Sequence, residues 1–179
     1  GFGITYRAWD NKLNVMVAIK EYYPAGIVNR IPGEKTVILY TGKSRNEFVK
    51  GLERFLEEAR NMARFSNHPN IVNVFDFFEE NGTAYIVMEF LDGVSLKDYM
   101  KRQGGRLRWE EAVSVTCSII EALRKVHEVA ILHRDISPDN IFMCVDGKVK
   151  LIDFGAARFS NEEEEKTRSI QLKMGYAPP

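Results

Sequence analysis

His133-Arg134-Asp135-Ile136-Ser137-Pro138-Asp139-Asn140 is the stretch on which the reading of this chain turns. Asp135 and Asn140, five positions apart, put a carboxylate and an amide oxygen on one loop. Short strands are expected around Ile141–Cys144 and Lys148–Ile152, with Asp146-Gly147 turning between them. That hairpin delivers a second carboxylate, Asp153, 18 residues after Asp135. Two carboxylates and an amide oxygen thus fall within 19 residues of one another in the chain.

Working back from the loop, Trp109 to Val129 is expected to form a long, mostly buried helix, and Ser95-Leu96-Lys97-Asp98 has the form of a helix capping box. The helical character begins after Asp92-Gly93. Before it the chain is sheet-like. Ile4–Trp9 and Val15–Ile19 read as strands with Asp10-Asn11-Lys12 turning between them, and Ile71–Phe78 and Thr83–Phe90 as two more around Glu80-Asn81-Gly82. Residues 27–40 suggest a further hairpin around Ile31-Pro32-Gly33-Glu34. Phe48, Leu52, Phe55, Leu56, Ala59, Met62 and Phe65 recur at helical spacing, predicting an amphipathic helix from about 45 to 65. The expected class is α+β, with a sheet-rich lobe over 1–90 and a mainly helical one over 91–179.

Bulk properties narrow the partners. At 179 residues and 45% hydrophobic content the chain has material for a sizeable core. Lys plus Arg and Asp plus Glu number 25 each, so nothing favours nucleic acid or an anionic membrane as a partner. Cys117 and Cys144 show no metal or redox spacing and are expected as reduced core residues, which suits a cytoplasmic setting. No apolar stretch approaches the roughly 18 residues of a membrane helix, so no membrane contact is expected within this segment. His68 and His127 read as turn and helix-end residues rather than ligands.

Four signals occur in one order: Gly1-Phe2-Gly3, Val17-Ala18-Ile19-Lys20, His133-Arg134-Asp135 with Asn140, and Asp153-Phe154-Gly155. In this the chain resembles the protein kinase family, and in particular bacterial Ser/Thr kinases. The resemblance implies a two-lobed kinase fold, ATP and Mg²⁺ as cofactors, and a protein substrate. It makes Asp135 the catalytic base and Asn140 and Asp153 the metal ligands. Gly1 and Gly3 would end a phosphate-covering loop, since glycines let backbone amides approach phosphate oxygens. Lys20 would hold the phosphates, paired with Glu58, which shares a helix face with Met62 and Phe65. Ala18 and Phe142 would sandwich the adenine ring, with Met88 at the back and the backbone of Glu89 and Leu91 along its edge. His133 and Phe154 are expected to pack rather than react. Arg134 reads either as a surface charge or as a dock for a phosphate on Thr167, Ser169 or Ser160, and dimerisation for trans-autophosphorylation fits that reading.

Three departures from the family stand out. Ser137 occupies the place where most Ser/Thr kinases carry a lysine, and Lys173 stands where they carry a threonine, so Lys173 is a candidate to replace the missing cation near Asp135. Lys20 and Glu58 are 38 residues apart, an unusually long separation whose excess is the 27–40 segment. Tyr176-Ala177-Pro178-Pro179 resembles the approach to the family's Ala-Pro-Glu motif, so the chain is expected to be a piece of a longer domain. Two other readings stay open: a pseudokinase that binds without transferring, for which Ser137 speaks, and a small-molecule phosphotransferase, against which Arg134 and the length after Asp153 speak.

Overall fold

Asp10 turns the chain for the first time: its carboxylate accepts from the amides of Lys12 and Leu13 at 2.8 and 3.0 Å. The turn joins β1 (Gly3–Asp10) to β2 (Val15–Tyr22) in antiparallel register, Thr5 opposite Lys20. A computed structural model of the protein describes residues 3–40, 42, 45–155 and 157–159. The chain divides into two units, one of residues 1–64 and 73–90, the other of residues 65–72 and 91–179.

In the first unit β2 continues from its pairing with β1 to pair with β6 (Thr83–Glu89), which pairs in turn with β5 (Val74–Glu80), giving the sheet order β1-β2-β6-β5. Asn81 and Gly82 both take positive φ, 53° and 72°, as a tight primed turn between β5 and β6 demands. The 27–40 segment contributes the two-residue strands β3 (Val28–Asn29) and β4 (Ile38–Leu39), which pair with each other. Helix α1 (Arg45–Ala63) packs on β5 and β6 through one stripe, with Phe48, Phe55, Leu56, Glu58, Ala59 and Met62 buried. Apart from Glu58 and Asn61, which is also buried, the buried residues of α1 follow the apolar period expected from the sequence.

In the second unit β7 (Gly93–Ser95) leads directly into α2 (Leu96–Arg102). Ser95 caps the helix as expected, its Oγ accepting from the Asp98 amide at 3.1 Å and donating to the Asp98 carboxylate at 2.9 Å. Helix α3 (Trp109–Glu128) buries Val115, Ile119, Ala122 and Val126. It is thus amphipathic, not mostly buried: Trp109 and Ile120 are exposed. β8 (Ile131–Leu132) pairs with β11 (Arg158–Phe159), and β9 (Ile141–Cys144) lies between β7 and β10 (Val149–Leu151).

Two expectations are corrected here. Cys117 is exposed, because it falls outside the buried α3 stripe, and Cys144 at the end of β9 is half-buried, so neither is a core residue. The strand expected from Ile71 begins only at Val74. Ile71 and Val72 pair elsewhere, Ile71 bridging Leu151 in parallel and the Val72 amide donating to the Leu151 carbonyl at 3.0 Å. The Asn70 side chain donates to the Val149 carbonyl at 3.0 Å, and the Lys150 ammonium to the Ile71 carbonyl at 3.2 Å. These bonds tie residues 65–72 to β10. Among the described residues no helix is long and apolar enough to cross a membrane.

Candidate active site

Alternation along β2 decides which side chains reach α1. Lys20 and Tyr22 fall on one face of the strand. The Lys20 ammonium donates to Glu58 Oε1 at 2.7 Å and lies 5.7 Å from the centroid of the Phe55 ring. Glu58 is only 6% exposed, and the Lys20 ammonium supplies a counter-charge to it. Glu57, one step round the helix, is only half-buried. Ala18 pairs with Met88 across β2 and β6, and Gly3, at the start of β1, stands opposite Tyr22. A Cβ on Gly3 would collide with the Glu21 carbonyl, so only glycine fits this approach. Glu89 donates its amide to the Asn73 carbonyl at 3.0 Å, and its carboxylate accepts from the Asn73 amide at 2.7 Å.

The remaining candidates lie in the second unit. The Asn140 side-chain amide donates to both the Asp135 carbonyl (2.9 Å) and the Asp135 carboxylate (2.8 Å). One residue thus fixes the loop and the orientation of its catalytic candidate. Because the amide nitrogen is engaged with Asp135, the amide oxygen is the end that suits a cation. The Asn140 amide N–H closes the loop onto Ser137, and its carbonyl accepts from Ile152 at 3.1 Å. Asp153 lies two residues past the end of β10 and accepts from the Gly155 amide at 2.8 Å. Phe142 sits in β9 opposite Lys150 and Ser95, and Leu91 begins the second stretch of the unit.

His133 is 2% exposed. Its Nδ1 accepts from the Asp135 amide at 3.3 Å, and its ring meets Phe154 edge-on at 4.7 Å, while Phe154 stacks on Phe65 at 5.8 Å. Burial pushes the imidazole down to about 4, against the opposing pull of the Asp153 and Asp135 carboxylates. Its Nε2 is buried without a well-formed hydrogen bond. His133 is therefore a neutral packing residue at physiological pH, and not a proton carrier.

Ser137 is 2% exposed, and Arg134 is exposed with a positive φ of 66°. Lys97 of α2 pairs with Asp139 of the loop at 2.8 Å, a contact the sequence did not suggest. Gly1, Lys173, Ser160, Thr167, Ser169 and residues 176–179 lie outside the described residues. No group of three or more His, Cys, Asp or Glu able to hold a metal is present among those described. A donor set of one amide oxygen and one carboxylate suits Mg²⁺ that shares its coordination with phosphate and water.

Sequence comparison places these features in company. The profile of the protein kinase domain matches residues 1–179. A probable serine/threonine-protein kinase of Clostridium perfringens is 36% identical over 180 residues, covering 100% of this chain and 23% of that protein. The serine/threonine-protein kinase PrkC of Bacillus subtilis is 37% identical over 135 residues, 75% of this chain and 20% of that one. The serine/threonine-protein kinase PknK of Mycobacterium tuberculosis is 34% identical over 180 residues, 100% of this chain and 14% of that one. The chain thus spans less than a quarter of the length of these curated relatives. Among solved structures, the apo form of PpkA-294 aligns with a TM-score of 0.86 at 38% identity, covering 99% of this chain and 63% of that one.

Proposed function

The chain belongs to the protein kinase domain family, and on that premise we propose that the protein containing it transfers the γ-phosphoryl group of ATP to serine or threonine hydroxyls of protein substrates. The observation that carries the reading is the Asn140 clamp on Asp135, which holds a carboxylate ready for a hydroxyl proton. Phosphoryl transfer asks the protein for positioning and charge neutralisation more than for covalent chemistry. Asp135 orients the substrate hydroxyl and takes its proton as the oxygen bonds to the γ-phosphorus and the bond to the β-phosphate oxygen breaks, releasing ADP. Lys20, held by Glu58, offers its ammonium to the phosphates. Asn140 and Asp153 would hold Mg²⁺, which supplies neutralisation of phosphate charge when bound. Ala18, Glu89, Leu91 and Phe142 form the adenine contacts of this reading, and Gly1 and Gly3 its phosphate loop.

Ser137 is buried and brings no cation to the loop. We assign that duty to Lys173. The action is proposed to be cytoplasmic, with dimerisation serving trans-autophosphorylation. The test is incubation of the full-length protein with labelled ATP and Mg²⁺ beside Asp135→Asn and Lys173→Ala. Label on Ser or Thr that vanishes in Asp135→Asn, and falls more than about threefold in Lys173→Ala, is the expected result. ATP binding without transfer in the unaltered protein would replace this reading with a binding-only pseudokinase, for which the buried Ser137 speaks. Label that persists in Asp135→Asn would remove Asp135 from the mechanism.

A further inference from the structure

Glu21 follows Lys20 in β2 and therefore faces away from α1. It is 1% exposed, and a carboxylate so buried needs both hydrogen bonds and a counter-charge. Tyr6 of β1 donates its hydroxyl at 2.7 Å and Tyr85 of β6 at 3.1 Å. The counter-charge comes from Arg30, whose two terminal nitrogens contact the two carboxylate oxygens separately, one at 3.4 Å and the other more closely. Arg30 belongs to the inserted 27–40 segment. Its Nε donates to the Lys35 carbonyl at 2.9 Å, closing that segment on itself, and its guanidinium lies 5.5 Å from the centroid of the Tyr23 ring. The segment is anchored a second time by the Val37 amide, which donates to the Asn81 carbonyl at 2.8 Å, and by burial of Val28 and Val37.

On the other face of the same strand end, Tyr22 rests on Phe48 and Phe55 of α1 at 5.3 and 5.6 Å and donates its hydroxyl to the Phe48 carbonyl at 3.3 Å. Three consecutive residues therefore hold three things: Lys20 the Glu58 carboxylate, Glu21 the insert, and Tyr22 the body of α1.

We infer that Arg30 is a positioning residue: the inserted segment delivers the counter-charge that lets Glu21 stay buried, and thereby keeps β2 and α1 in the arrangement that presents Lys20 to nucleotide phosphates. The inference rests on the kinase reading above. Without the guanidinium, Glu21 keeps its two phenol donors and loses the cation paired with it. The carboxylate, buried without its counter-charge, is then driven towards water, which releases the Tyr6 and Tyr85 hydroxyls of β1 and β6 and loosens the packing of β2 beside Lys20. Lys in place of Arg30 retains the charge and loses the forked contact to two oxygens, so it serves as a graded variant.

The experiment uses the full-length protein, a fluorescent ATP analogue with Mg²⁺, and amide hydrogen exchange of β2 and α1. Arg30→Ala is expected to weaken analogue binding at least fivefold and to speed exchange in both elements, with Arg30→Lys in between. Arg30→Ala combined with Glu21→Gln strands no carboxylate and is expected to return affinity to within twofold of the unaltered protein; it also serves if Arg30→Ala alone fails to fold. Affinity within twofold in Arg30→Ala, with faster exchange confined to 23–40, would show a merely local structural role and overturn the inference. So would a double variant that binds as weakly as Arg30→Ala. If the unaltered protein fails to bind the analogue, it is the kinase reading that fails, and exchange then decides alone: faster exchange in β2 and α1 supports the coupling and unchanged exchange refutes it.

Discussion

Replacing His133 with phenylalanine should flatten the acid side of the stability profile. The imidazole is held down to about 4 by burial, whereas in the unfolded chain it titrates near its ordinary value of 6.5. The unfolded state therefore binds more protons throughout the interval between those values, and stability rises with pH across it. The contribution is fully present above about pH 6.5 and is lost as the pH falls towards 4. One pKa unit corresponds to about 1.4 kcal/mol, so the whole interval is worth about 3 kcal/mol, and about 2 kcal/mol of it is gone by pH 5. Phenylalanine preserves a ring against Phe154 and has no proton to gain. It leaves the Asp135 amide without its Nδ1 acceptor, a pH-independent cost of about 1 kcal/mol. Urea titrations followed by far-ultraviolet circular dichroism at pH 7 and pH 5 measure the difference. The unaltered protein should lose about 2 kcal/mol more than His133→Phe between the two pH values, so that the variant becomes the more stable of the two at pH 5. Equal losses, within about 0.5 kcal/mol, would refute the reasoning, because they would mean that His133 is charged or well solvated in the fold.

Glu58→Gln keeps the length of the side chain and removes the charge facing Lys20; with Lys20 21% exposed, the loss in phosphate binding should be about 2 kcal/mol, or roughly thirtyfold in kcat/KM for ATP. Steady-state kinetics in ATP would show it, and a change under threefold would argue that the pair is dispensable. Gly51→Ala should destabilise the protein although alanine favours a helix by about 1 kcal/mol over glycine, because the added Cβ collides with the Tyr22 phenol. Thermal unfolding should register a net loss of about 1–2 kcal/mol, part of it recovered when Tyr22→Phe removes the hydroxyl; a stabilised Gly51→Ala would contradict the close packing of α1 on β2.

The parts of the fold and site that were readable from sequence are those whose geometry is local. Asp135 and Asn140 share one loop, so their mutual hydrogen bonds follow from spacing, and the hairpin that brings in Asp153 is short. Helical phase was enough to pick Glu58 over Glu57 for the face that Lys20 meets. Cys117 was read as buried from its apolar surroundings, because α3 carries enough apolar residues on its outer face, Trp109, Val113 and Ile120 among them, to look buried all round. The Glu21 cage was not visible, since its partners come from β1, β6 and an irregular segment, and nothing in local sequence links Arg30 to a strand residue nine positions earlier. Its one available signal was an acidic residue on the strand face shared by Val17 and Ile19. Ile71 and Val72, at the end of the 65–72 segment, were likewise read as the start of a strand, because apolar alternation does not say which backbone a segment will pair with.

That last segment bears on how the domain can be taken apart. The chain passes from one unit to the other at 64–65, returns at 72–73 and passes again at 90–91. Neither unit is therefore a contiguous stretch of gene. A polypeptide begun at Leu91 would lack the strap that supplies the acceptor for the Leu151 amide and the carbonyl that receives Lys150, two residues ahead of Asp153. Recombination that exchanged residues 1–90 between relatives would carry across, unannounced, eight residues belonging to the other half. The two units are inherited as a matched set, and a single backbone cut at any one crossing would leave them still joined by the fold of the remainder.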